Sequence, residues 1–279
     1  MPYLSLSTWS LHRLLGTMYW TVWDEEEQKQ KTVEQPQPHL LDLLDLPAEA
    51  ARRGFQAVEI CHFHFPSTAP DYLLALKQAF SASKIALDTL LLDYGDLTNP
   101  SATRAESDML FIRQWISIAS ACGARRIRVI AGEAAPTDEE AIRLSASRLL
   151  ELERFAADSG VELITENFKS LTSTGTSCLQ LLEQTGRRIN IIADFGNFKE
   201  PHKSDFLSMI LPFSVSVHAK AQYDADGNLD RTELERCLRL VQEAGYEGPI
   251  VMIYDGPGDM WEGIERVREV VQPFIKMKD

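Results

Sequence analysis

Ile189–Phe198 reads INIIADFGNF, and this stretch decides the architecture. Its apolar residues are mostly β-branched, which suits a short strand buried on both faces of a parallel sheet. Such a strand does not end in a carboxylate unless the carboxylate has a task. Asp194 sits where the strand surfaces, and Gly196-Asn197 turn the chain away. Working outward, two more apolar runs end the same way. Val161–Thr165 (VELIT) delivers Glu166-Asn167, and Ser214–Val217 (SVSV) delivers His218. If the three strands are parallel neighbours, Glu, Asp and His converge at one C-terminal edge.

The rest of the chain repeats this unit. Tyr3–Ser7 is a strand, and Gly16–His39 after it shows neither helical nor strand periodicity, so it reads as an extended loop. A helix starts at Pro47 and stops at Gly54, with proline and glycine at the positions they favour. Val58–Ile60, Ala86–Leu92 and Arg126–Ala131 read as strands. Helices are expected at about 71–83, 102–122 and 138–159, then at 177–185 and 204–210. After the His218 strand come a polar loop, Gln222–Asn228, and a helix N-capped by Asp230. Ile250–Ile253 is the last strand and Trp261–Lys276 the closing helix. Eight uninterrupted strand–helix units predict a single (β/α)8 barrel over residues 1–279, with parallel strands inside and 16–39 inserted after the first. An open doubly wound sheet would need a glycine-rich phosphate turn after the first strand, and Ser7–Leu15 carries no GxGxxG.

Composition narrows the partners. The 279 residues carry 28 Lys+Arg against 41 Asp+Glu, a net charge of −13, which argues against a nucleic-acid partner. No run approaches a membrane span, and MPYLSLSTWS lacks the charged and apolar regions of a signal peptide. Cys61, Cys122, Cys178 and Cys237 form no CxxC pair, so reduced core thiols in a cytoplasmic protein are expected.

In such barrels chemistry sits at the C-terminal strand ends. There the sequence places Ser7, His12, His62, His64, Asp93, Glu133, Glu166, Asn167, Asp194, Asn197, His218, Lys220 and Asp255. Mixed carboxylate and imidazole donors suit a divalent ion such as Mn, Zn, Co or Mg. Glu166, Asp194 and His218 are the expected metal ligands. Lys220, two residues past His218, is the lysine expected to meet an anionic intermediate. His62 and His64 are candidates for proton transfer, and Trp9, His12, Glu133, Asn167, Asn197 and Asp255 for the rim. The Thr172–Ser177 cluster reads as a helix cap. The acidic run 24–27 reads as a solvated face, and Trp9, Trp20 and Trp23 suggest a lid or subunit contact.

GFQAVEI, GVELITEN, IIADFGNF, VHAKAQYDADGN and GYEGPIVMIYDGPGD together resemble the xylose isomerase-like TIM-barrel superfamily of sugar phosphate isomerases and epimerases, along essentially the whole chain. The resemblance implies an ion held by a Glu after strand five, an Asp after strand six, a His after strand seven and a Glu on strand eight. Glu166, Asp194 and His218 match the first three. Ile253 stands where the fourth is expected, and Phe168 replaces a His that often follows Glu-Asn. The resemblance further implies that the fifth- and eighth-strand glutamates are opposed proton carriers, so Ile253 removes one of them; Asp255, His62 or His64 are the candidate substitutes.

The expected function is therefore a metal-dependent sugar or sugar-phosphate isomerase/epimerase-like enzyme. Its substrate would be a small polyhydroxylated carbonyl compound. The alternatives are a dehydratase or lyase on a sugar- or inositol-type substrate, or a sugar-binding barrel without turnover. Homo-oligomerisation through 16–39 is a further expectation.

Overall fold

The computed structural model describes residues 1–224 and 226–275. Its strands are β1 (Tyr3–Ser7), β2 (Met18–Asp24), β3 (Lys29–Gln35), β4 (Ala57–Cys61), β5 (Ala86–Leu91), β6 (Arg126–Arg128), β7 (Glu162–Glu166), β8 (Asn190–Asp194), β9 (Ser214–Lys220) and β10 (Pro249–Ile253). Helices α1 (Leu46–Arg52), α2 (Pro70–Ser83), α3 (Ala102–Cys122), α4 (Glu139–Asp158), α5 (Gly175–Gln184), α6 (Lys203–Ile210), α7 (Arg231–Glu243) and α8 (Met260–Ile275) follow the strands in turn. All barrel pairings are parallel, and the sheet closes in the order β1-β10-β9-β8-β7-β6-β5-β4. The chain is a (β/α)8 barrel.

Local chemistry sets the element ends. The Asp138, Thr174 and Asp230 side chains accept from the backbone N–H three residues on, which caps α4, α5 and α7. Gly123 ends α3 at φ +80°, a conformation glycine adopts without a Cβ penalty. The four cysteines are free and buried. Among the described residues, no helix is long and apolar enough to cross a membrane.

Three expectations need correction. Residues 16–39 are not an irregular loop: β2 and β3 form an antiparallel hairpin with Met18 opposite Gln35 and Asp24 opposite Lys29. The strand pattern is hidden because β3, KQKTVEQ, is polar and almost wholly exposed, so it lacks an apolar alternation. The acidic run builds the turn. Asp24 Oδ1 accepts from the backbone N–H of Glu26 and Glu27 at 2.9 and 3.0 Å, and Asp24 pairs with Lys31. The hairpin then lies across the barrel mouth. Trp20 stacks on Phe63 at 4.0 Å, and Gln30 reaches the buried Asp108 of α3 at 3.2 Å. Second, β6 stops at Arg128 rather than Ala131, although Val129 still donates to the Ile164 carbonyl at 2.9 Å. Third, β9 runs past Val217 to Lys220, so His218 and Lys220 are strand residues. Ala225 of the expected polar loop and Lys276 of the closing helix lie outside the described residues.

Candidate active site

Side chains alternate along a strand, so each barrel strand aims every second residue inward. A cavity of about 240 Å³ at the C-terminal mouth takes one such residue from every strand: Ser7, Cys61, Leu91, Arg128, Glu166, Asp194, His218 and Ile253. The ring is two-sided. From β6 to β9 it is charged; from β10 through β1 and β4 to β5 it is apolar or small. Trp9 and Trp20 rise over the apolar half, while Phe168, Lys169, Asn197 and Lys220 line the charged half higher up. A larger groove next to it, about 450 Å³, is lined by Lys203, Glu233, Glu200 and Arg236. Those residues pair with one another rather than converging on a common point.

Glu166, Asp194 and His218 come together in the charged half. One donor atom from each lies within 4.8 Å of the others, and all three residues are buried. His218 Nδ1 stands 3.5 Å from Glu166 Oε1 and 3.4 Å from Asp194 Oδ2. Two donors bound to one ion by bonds of about 2.1 Å stand about 3.0–3.4 Å apart, so these separations fit a shared divalent ion.

The outward atom of each residue is held by protein. His218 Nε2 donates to Glu59 Oε2 at 2.7 Å, which aims Nδ1 at the cluster. Asp194 Oδ1 accepts from Gly196 N at 2.6 Å. Glu166 Oε2 faces Arg128 Nε at 2.8 Å, a charge contact outside hydrogen-bond alignment. Asn167 locks the two strand ends together: its Nδ2 donates to the Asp194 carbonyl at 3.0 Å, and its Oδ1 accepts from Asp194 N at 2.7 Å. Asn197 Nδ2 reaches Glu166 Oε1 at 3.2 Å. The donor set fits a divalent cation in chemistry, spacing and outer support.

The electrostatics agree. Burial opposes charge on His218, but the Glu59 carboxylate with Asp194 and Glu166 outweighs it and holds the imidazole well above its usual range. Burial likewise opposes ionisation of Asp194, and His218 with Lys220 keeps its carboxyl below the usual range. Lys220 is raised: burial is outweighed by Asp194 and by Asp255, 3.2 Å away.

Other candidates fall elsewhere. His62 and His64 are buried and lie off the cavity lining. His62 Nδ1 accepts from Asp93 N at 3.1 Å, and burial lowers its pKa to about 4. His64 Nδ1 meets Thr8 Oγ1 at 2.9 Å, and burial lowers it to about 3. Trp9 lines the cavity, whereas His12 stacks behind it at 4.5 Å. Glu133 stands outside, paired with Lys169.

Sequence reasoning missed Glu59 and Arg128. Glu59 is a lone carboxylate inside an apolar strand, the same signal that marked Asp194. Arg128 shares the inward face of RIRV with Arg126. It is buried between Asp93, 2.5 Å away, the Leu92 carbonyl, 2.9 Å away, and Glu166. Replacing Glu59 by Gln removes the charge behind His218 and is expected to weaken Mn2+ binding about 10- to 100-fold by calorimetry. Unchanged affinity would remove Glu59 from the site.

A family model described as a xylose isomerase-like TIM barrel matches residues 47–272. No curated protein matches by sequence. Among solved structures the chain is similar to an L-ribulose 3-epimerase, with TM-score 0.71 and 16% identity over 99% of this chain and 95% of that one. The probable 3-DHS dehydratase AsbF from Bacillus anthracis gives TM-score 0.69 and 15% identity over 97% and 98%. A xylose isomerase-like barrel from Mycobacterium smegmatis, in complex with magnesium, gives 0.63 and 15% over 98% of each chain. At such identities the likeness is one of fold.

Proposed function

The chain belongs to the xylose isomerase-like TIM-barrel family, and on that premise we propose that it is a metal-dependent, isomerase/epimerase-like enzyme. It moves a proton beside the carbonyl of a small polyhydroxylated substrate. The observation that carries this reading is the convergence of Glu166, Asp194 and His218, each with its outward atom held by protein.

In this reading Glu166 Oε1, Asp194 Oδ2 and His218 Nδ1 hold the ion. A divalent ion there supplies electrophilic polarisation of a substrate carbonyl and its neighbouring hydroxyl. The Glu166 carboxylate takes the proton, with Arg128 beside it holding the group in place. Lys220 Nζ neutralises charge that develops on the substrate oxygen. The cavity of about 240 Å³ suits a compact substrate of sugar size. Buried free thiols support a reducing, cytoplasmic setting.

Incubation with Mn2+ or Mg2+ and a panel of D-fructose, D-psicose and L-ribulose tests the reading. Conversion that disappears with a chelator and returns with Mn2+ is the expected result; no conversion with either metal counts against it. One observation favours a second reading, loss of water from a hydroxy ketone. The apolar half-ring around Ile253 leaves Glu166 without an opposed partner. Release of a dehydrated product from a cyclic hydroxy ketone would select that reading.

A further inference from the structure

We infer that proton transfer in this cavity is confined to one face of the substrate, so the chain exchanges, isomerises or dehydrates but does not epimerise the attacked carbon. The inference rests on the proton-transfer reading above. It follows from how the eight-strand ring divides. Counting round the closed barrel, β7 with Glu166 stands directly across from β1. The residue there is Ser7, flanked by Cys61 of β4 and Ile253 of β10.

Among the described residues, no cavity-lining side chain of that arc is a base near neutral pH. The Ser7 hydroxyl oxygen accepts from Trp9 N at 3.2 Å, and its register neighbour Glu59 lies off the cavity lining with both oxygens engaged by Ser216 and His218. Burial pushes the Cys61 thiol far up. Ile253 is hydrocarbon, and Trp9 and Trp20 continue the wall above it.

The other ionisable groups around the mouth are committed elsewhere. Among the described residues, the carboxylates lining the cavity are Asp93, Glu166 and Asp194. Asp93 and Glu166 both contact the Arg128 guanidinium, so Asp93 stands beside Glu166 rather than opposite it. Asp194 lies on β8, next to β7. Lys220 leans toward the same side: a Cβ on Gly196 would come within 2.7 Å of its Cδ, so its stem passes over the β8 turn. Asp255 pairs with Lys220, and His62 and His64 are walled off by their own contacts.

The step balances within the protein and one substrate. As the C–H bond beside the carbonyl breaks, its electron pair forms a C=C bond and the carbonyl pair moves onto oxygen, while Glu166 takes the proton. The pair then returns to that carbon, or to its neighbour once a proton has passed between the two enediol oxygens, and reclaims the proton from the face it left. Alternatively a β C–O bond breaks, the carbonyl re-forms, and the hydroxide departs with the Glu166 proton as water. No oxidant or reductant is needed.

The test uses the full chain with Mn2+ in D2O, with D-fructose, L-ribulose and D-psicose as probes followed by NMR. The expected result is solvent deuterium next to the carbonyl with configuration kept, or an isomer or dehydrated product. The C3 epimer should stay below about one-tenth of the exchanged material. An epimer as main product overturns the inference. Ile253→Glu places a carboxylate in the opposing arc and is expected to raise the epimer share about tenfold or more; an unchanged share also overturns it. No exchange on any probe overturns the proton-transfer reading and the inference with it, and that outcome is distinct because exchange and epimer give separate signals.

Discussion

Glu166→Gln is expected to lower turnover by roughly two to four orders of magnitude, the contribution of one general acid–base group. The substitution keeps the side chain's shape and its hydrogen-bond contact with Asn197, 3.2 Å away. It removes the charge that faces Arg128 at 2.8 Å and the lone pair that would take the substrate proton. Arg128 retains Asp93 and the Leu92 carbonyl, so the barrel stays folded and circular dichroism should match the wild type. Rate is the sensitive readout. Glu166 also offers a ligand atom, so metal content should be measured beside it. A large loss of rate with metal retained assigns the base role to Glu166. A rate near wild type with the fold intact would sink that assignment.

The second large effect concerns the metal. Asp194→Ala and His218→Ala each delete one of three donor atoms that lie within 4.8 Å of one another. Each is expected to weaken Mn2+ or Zn2+ binding at least about 100-fold, beyond the effect of an outer-shell change. Mass spectrometry should find near-stoichiometric metal in the wild type and little in either variant. Ligand at 100 times its dissociation constant stabilises the folded state by about 2.7 kcal/mol. That corresponds to a rise in Tm on the order of 5 °C for a chain of this size. The rise should be present in the wild type and absent in both variants.

The pH dependence follows from His218, whose burial is outweighed by Glu59, Asp194 and Glu166, so that the metal-free imidazole holds its proton above the usual range. An ion must displace that proton. Below the raised pKa, affinity should climb by about tenfold per pH unit and then level off above it. A flat profile through the neutral range would mean that His218 is not a ligand.

Much of this architecture is local and therefore legible in one dimension. Apolar runs of strand length alternate with amphipathic stretches that begin at Asp138, Thr174 and Asp230 and stop at residues such as Gly123. That periodicity needs no knowledge of contacts. The ends of the runs are equally local, because a carboxylate or imidazole closing a buried strand stands out against its neighbours. Glu166, Asp194 and His218 were visible for that reason, whereas Ile253 drew notice only through the resemblance to the family. β3 escaped because its pairing with β2 buries little of KQKTVEQ, and an exposed strand carries no apolar period.

Closure of the barrel decided the rest. Glu59 and His218 lie 159 residues apart in sequence and meet at 2.7 Å only because β4 and β9 face one interior. Arg128 finds Glu166 through the β6–β7 register, in which Arg128 pairs with Ile164 and so brings the next inward residue alongside. His62 and His64 have the composition of a catalytic pair, yet a short helical turn after β4 buries both under Thr8, Asp93 and the hairpin. Their chemistry is set by burial, which sequence does not express. The chain by itself determined which residues reach the mouth of the barrel. The tertiary structure decided which of them face one another, because opposition across a closed ring depends on register and shear rather than on any local pattern.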